Sequence, residues 1–153
     1  MSERDDAGER LAHEMTRTGR SVAVAESLTG GALSSRLARL PDASAWFTGS
    51  VVAYAASVKH DVLDVPDVPV VSEPAAIALA DGVARLLGAD ISVAVTGVGG
   101  PGPEDGVAAG TVWMAIHDDG RTSARVFSFS GDPAAVLAQT CDAAIDWLAG
   151  SFV

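Results

Sequence analysis

The sequence predicts an α/β fold, a three-layer α/β/α sandwich around a mixed, mostly parallel sheet of about five strands. Three observations carry this. Short apolar runs of strand length alternate with segments of helical period. Glycine or proline marks the junctions between them. One strand pair, near the C-terminus, is joined by a turn too short to be a crossover, which makes the sheet mixed.

Asp5 to Thr18 predicts an amphipathic first helix, with Leu11 and Met15 at i, i+4 and Gly19 as its stop. Ser21 to Ala25 then reads as a short buried strand. A helix from Thr29 to Leu40 follows, with Leu33, Leu37 and Leu40 on one face and Pro41 ending it. Gly49 to Tyr54 is the second strand. Ser57 can cap a short helix through Leu63, and the proline-containing stretch from Val65 to Val71 closes the unit.

Ser72-Glu73-Pro74 opens the next helix, because proline is tolerated in a first turn that does not need its N–H. That helix turns Ile77, Ala80, Val83, Ala84 and Leu87 inward and stops at Gly88. Ile91 to Thr96 is the third strand and Thr111 to Ile116 the fourth. Arg125 to Phe129 is the fifth, paired with the fourth through Asp118-Asp119-Gly120. Asp132 and Pro133 supply the cap and first residue of a last helix to Ala149, ended by Gly150.

The 153 residues fit one domain spanning 1–153, with no repeat, low-complexity tract or linker. Hydrophobic residues make up 48%, enough for a packed core. A formal charge of −10 argues against nucleic acid and anionic membrane as partners, although a local pocket could still hold a small anion. The single cysteine, Cys141, allows no intrachain disulfide and no thiolate cluster, and its helix-face neighbours point to core packing. His13, His60 and His117 lack metal-ligand spacing, so neither metal nor cofactor is expected. Trp46, Trp113 and Trp147 read as packing residues. The polar stretch from Met1 to Arg10 is unlike a signal peptide, and no apolar run is long enough to cross a bilayer, so a soluble cytoplasmic protein is expected.

Three segments place small or reactive residues just after a strand, where ligands collect in open α/β sheets. In Glu26-Ser27-Leu28-Thr29-Gly30-Gly31, Ser27 is a candidate nucleophile, and the helix start offers N–H groups for an anion or oxyanion. The plainer alternative is that Ser27 and Thr29 only cap the helix. In Tyr54-Ala55-Ala56-Ser57-Val58-Lys59, a lysine near a helix N-terminus is pushed toward the neutral amine that can act as a base. Tyr54 could relay a proton or orient the amine; otherwise these are a surface lysine and a strand-end tyrosine. Thr96-Gly97-Val98-Gly99-Gly100-Pro101-Gly102-Pro103 formally matches a dinucleotide fingerprint, but Pro101, Pro103, Glu104 and Asp105 oppose the helix that must follow. It reads as the rigid wall of a binding site, or as an ordinary surface loop.

In order and spacing, these segments resemble the CinA C-terminal domain family, the nicotinamide-nucleotide amidohydrolases. Phe47-Thr48-Gly49-Ser50-Val51-Val52-Ala53-Tyr54, Val71-Ser72-Glu73 and Gly110-Thr111-Val112 extend the match across nearly the whole chain. The resemblance implies hydrolysis of nicotinamide mononucleotide to nicotinic acid mononucleotide and ammonia in pyridine-nucleotide salvage. It implies Ser27 as nucleophile with Lys59 and Tyr54 assisting, no metal, and a stand-alone domain that forms a homodimer or larger assembly. Substrate would be bound by Glu26, Thr29, Gly30, Gly31, Thr96, Gly97, Gly99, Gly100, Gly110 and Thr111. Three stretches depart from the family pattern. Val107-Ala108-Ala109 stands where Lys-Pro-Val is common, Pro133 and Leu137 occupy arginine positions, and Glu104-Asp105 replaces Gly and Thr. Each change removes positive charge or adds negative charge. The alternatives are therefore an amidase acting on a smaller or uncharged amide, or a non-catalytic ligand-binding homologue.

Overall fold

The structure, a computed structural model, describes residues 3–150. The first two residues of the polar N-terminal stretch, and residues 151–153 of the expected domain, lie outside it. The elements are α1 (Glu3–Thr18), β1 (Val22–Glu26), α2 (Ala32–Ala38), α3 (Ala43–Trp46), β2 (Phe47–Val52) and α4 (Ala56–Leu63). They continue with α5 (Glu73–Leu87), β3 (Ile91–Gly97), β4 (Thr111–Asp118), β5 (Arg121–Ser128) and α6 (Pro133–Gly150).

The five strands form one sheet in the order β2-β1-β3-β4-β5. β1 pairs in parallel with both β2 and β3, whereas β4 is antiparallel to β3 and to β5. Only β4 therefore runs against the rest, which is the mixed, mostly parallel sheet expected.

Alternation along the strands builds the layers. In β1, Val22 and Val24 face a core shared with α1, α2, α3 and α6, while Ala23 and Ala25 face α5. β3 repeats the pattern, with Ile91, Val93 and Val95 on the first face and Ala94 on the second. Alanines on the second face let α5 approach closely through its own small residues, Ala75, Ala76 and Ala80. The expected inner face of α5 packs here and is wider than expected. Ala80, Val83 and Ala84 are buried, Ile77 and Leu87 are half-buried against the same core, and Leu79 joins them. Ser92, fully buried on this side, donates to the Ala80 carbonyl at 2.6 Å, so its hydroxyl is satisfied.

Local chemistry sets most boundaries. Ser72 caps α5 by accepting from the Ala75 N–H, Pro74 sits in its first turn, and Gly88 closes it in the left-handed region. Asp119 and Gly120 both have positive φ (50° and 79°), as a two-residue turn between β4 and β5 requires. With so tight a turn, β5 starts at Arg121 rather than Arg125. Two further expectations are corrected. Ala55, not Ser57, is the cap of α4 and makes no side-chain bond; α3 was not anticipated at all. Trp46, Trp113 and Trp147 pack against the two cores, as does buried Cys141. Among the described residues no helix is long and apolar enough to cross a membrane.

Candidate active site

β1 ends at Glu26, and the next five residues turn before α2 begins, so α2 is shorter than its expected span from Thr29. Gly30 and Gly31 adopt positive φ (59° and 110°), which a residue with a Cβ rarely tolerates. Ser27 sits in this turn, 7% exposed. The turn is fixed from beneath. The buried Glu26 carboxylate accepts from the N–H groups of Leu33 at 2.8 Å and Ser34 at 3.0 Å, and from the Ser34 hydroxyl. The Ala32 N–H goes to the Thr29 carbonyl at 3.0 Å. The start of α2 is therefore committed internally, which corrects the expectation that its N–H groups face an oxyanion. The Leu28 N–H, adjacent to Ser27, has no partner among the described residues, and Leu28 lines the cavity.

That cavity, of about 340 Å³, opens at the C-terminal ends of β1 and β3. The chain leaves β1 toward β2 on one side and later returns to β3 on the other, which splays the connections and leaves a crevice. Ser27 and Lys59 line it, with Tyr54 at the rim, 72% exposed. Thr96, Gly97, Gly99 and Gly100 form the facing wall. Gly97 is required there, because a Cβ would stand 2.6 Å from the Thr111 carbonyl oxygen. The Thr96 hydroxyl donates to the Val70 carbonyl at 2.7 Å and ties this wall to the segment before α5.

Lys59 is 3% exposed on the first turns of α4. Burial pushes its pKa below the ordinary lysine value, and the Glu104 carboxylate pulls it partly back up. The direction matches expectation, with burial as the larger cause. Glu104 also lines the cavity, carried on a tight turn. Its N–H donates to the Val107 carbonyl at 3.0 Å, and its carbonyl accepts from the Val107 N–H at 2.8 Å. Ser27 and Lys59 share one cavity but no hydrogen bond joins them, an arrangement common before substrate binds.

The other residues expected in the site are not among those lining the cavity. Glu26, Gly30 and Gly31 shape the Ser27 turn, and the Thr29 hydroxyl is buried without a partner. Gly110 immediately precedes β4, its N–H bonded to the Val98 carbonyl at 2.7 Å and its carbonyl accepting the Phe129 N–H at 2.9 Å. Thr111 begins β4. Sequence reasoning missed Leu28, Ala56, Val70, Val71 and Ala134, which line the cavity. Their only signal was position beside the recognised segments. Pro133 and Leu137, noted as departures from a family pattern, line it too. No group of three or more His, Cys, Asp or Glu among the described residues is arranged to hold a metal.

The CinA C-terminal domain family matches residues 4–152. This chain belongs to that family. A CinA-like protein of Citrifermentans bemidjiense is 36% identical over 155 residues, covering 95% of this chain and 37% of the relative. Another, from a Mycobacterium species, is 43% identical over 121 residues, covering 74% and 29%. The chain thus spans about a third of the length of the curated relatives it matches. Solved structures of the CinA superfamily are covered nearly whole. One from Klebsiella pneumoniae has a TM-score of 0.93 at 33% identity, covering 98% of each chain. The competence or damage-inducible protein from Enterobacter asburiae has a TM-score of 0.95 at 30% identity, covering 100% of each. Within the CinA fold the Ser27 turn, Lys59 and the Gly97–Gly100 wall enclose one crevice.

Proposed function

We propose that this CinA-family chain is a serine amidase that hydrolyses a carboxamide C–N bond without a metal. The observation that carries the reading is a nearly buried serine and a buried lysine, its pKa lowered, lining one cavity.

In the reaction, the neutral Lys59 amine takes the Ser27 proton as Oγ bonds to the amide carbon. The Leu28 N–H, beside Ser27 at the cavity, stabilises the negative oxygen that develops. The Lys59 ammonium then returns its proton to the departing nitrogen, the C–N bond breaks, and ammonia leaves an ester on Ser27. Water attacks the ester, giving its proton to Lys59. The proton passes to Ser27 Oγ as the carboxylic acid departs. Tyr54, at the rim, contacts the part of the substrate outside the crevice. Nicotinamide mononucleotide, implied by the family resemblance, is the first carboxamide to try.

The test is incubation of the purified chain, in the presence of a chelator, with a panel of carboxamides including that nucleotide and its riboside. Ammonia and carboxylate are expected in equal amounts from at least one amide. No release from any of them would overturn the reading.

A further inference from the structure

The polarity of the cavity speaks to the kind of amide it takes. Its lining carries one cationic side chain, Lys59, and one anionic side chain, Glu104. Lys59 is committed to the chemistry in the reaction above. A phosphate would be favoured by a further cation, which the lining does not carry.

No described arginine lines the cavity, and several are engaged elsewhere. Arg36 pairs with Asp142 at 2.6 Å, Arg85 with Asp64 at 3.2 Å, and Arg20 with Asp118. Arg125 lies over the Trp147 ring at 4.3 Å, and none of these lines the cavity.

The first turn of α6, which does reach the cavity, has most of its N–H groups missing or engaged. Pro133 has no N–H, the Ala135 N–H bonds the Asp132 carboxylate at 2.9 Å, and the Val136 N–H bonds the Asp132 carbonyl at 3.0 Å. Past that turn the wall is apolar, made by Pro133, Ala134 and Leu137. Glu104 lines the same cavity, its exposed carboxylate carried on a turn held at both the backbone N–H and the carbonyl.

We infer that the preferred substrate is a carboxamide without a phosphate, neutral or cationic, and that Glu104 with the Pro133–Leu137 wall sets this preference. The inference rests on the amidase reading and narrows it. A cationic heterocycle would lie between Glu104 and the apolar wall with its carboxamide toward Ser27. A phosphate carried there would share the cavity with the Glu104 carboxylate, and like charges so placed disfavour binding.

The experiment compares ammonia release from nicotinamide mononucleotide with release from nicotinamide riboside, which differ only by the phosphate. Wild type is expected to favour the riboside in kcat/KM by about tenfold or more. Glu104→Gln and Leu137→Arg are each expected to move that ratio toward the nucleotide. Because both substrates use the same base, the ratio is insensitive to any change in Lys59 ionisation. Equal or better turnover of the nucleotide by wild type would overturn this inference and leave the amidase reading standing. Hydrolysis of neither compound, nor of any other carboxamide, would overturn both. A ratio unmoved in both variants would remove Glu104 and the wall as its source.

Discussion

The Glu26 carboxylate accepts the Leu33 N–H at 2.8 Å, joining the last residue of β1 to the start of α2. Ser27 is held in the turn this bond closes. Glu26 is 1% exposed, so removing it strands the Leu33 and Ser34 donors in the interior. Glu26→Ala is expected to lose about 2–4 kcal/mol of stability, measured by urea unfolding, and to lose activity with it. Glu26→Gln keeps one accepting oxygen and should lose less. Equal stability of Glu26→Ala and wild type would show that the turn is held by other means.

Lys59 is expected to set function against stability. Its amine is buried, with its pKa below the ordinary value. Between the folded and unfolded values the unfolded chain holds more protons, so stability rises with pH through that window. Lys59→Met removes the buried amine. It should match or exceed wild-type stability at neutral pH, lose the rise toward alkaline pH, and lose about a hundredfold or more in kcat. Paired unfolding curves at neutral and alkaline pH, with rates, check all three.

The same ionisation can be read directly, because Lys59 is the only lysine in the sequence. An amine-acylating reagent used across a pH series should modify it with a midpoint below that of an ordinary lysine. Peptide mass spectrometry separates it from the N-terminal amine. A midpoint at or above the ordinary value would contradict its role as a base.

Glu104 raises the Lys59 pKa, against the effect of burial. In Glu104→Gln that support is gone, so the amine is neutral at lower pH. The acid limb of the pH–rate profile should move to lower pH, as followed by ammonia release from an uncharged amide. An unmoved limb would mean that Glu104 and Lys59 are not coupled.

Gly97 packs against the start of β4, where an added Cβ would also stand 2.9 Å from the Val112 Cα. The Thr111 oxygen and the Val112 Cα are both backbone, which leaves little room to relax. Gly97→Ala should cost about 1–3 kcal/mol and lower activity by displacing the wall opposite Ser27. Calorimetric melting alongside the ammonia assay would show both losses.

The sequence already carried the layered fold, since the valine–alanine alternation of β1 and the Ser72-Glu73-Pro74 start of α5 are local signals. The hairpin was legible from Asp118-Asp119-Gly120 for the same reason. α3 was not, because its four residues make too short a run to show a period. The Ser27 segment was visible, but its inner workings were not. Glu26 looked like a ligand contact until its carboxylate was found across seven residues of chain on Leu33. Gly110 likewise read as a binding residue, yet the crowding that demands glycine comes from Phe129, which is distant in sequence. Val70 and Ala134 reach the cavity only because the tertiary fold brings the chain ahead of α5 and the start of α6 over β1 and β3. No local pattern encodes that.

The central claim is that Ser27 makes and breaks the bond to the substrate carbonyl. Its most direct test is ammonia release by wild type and Ser27→Ala, side by side, on the carboxamide that wild type turns over best. The account predicts that Ser27→Ala melts within about 1 kcal/mol of wild type and releases ammonia at least about a thousandfold more slowly. Full activity in a folded Ser27→Ala would contradict it.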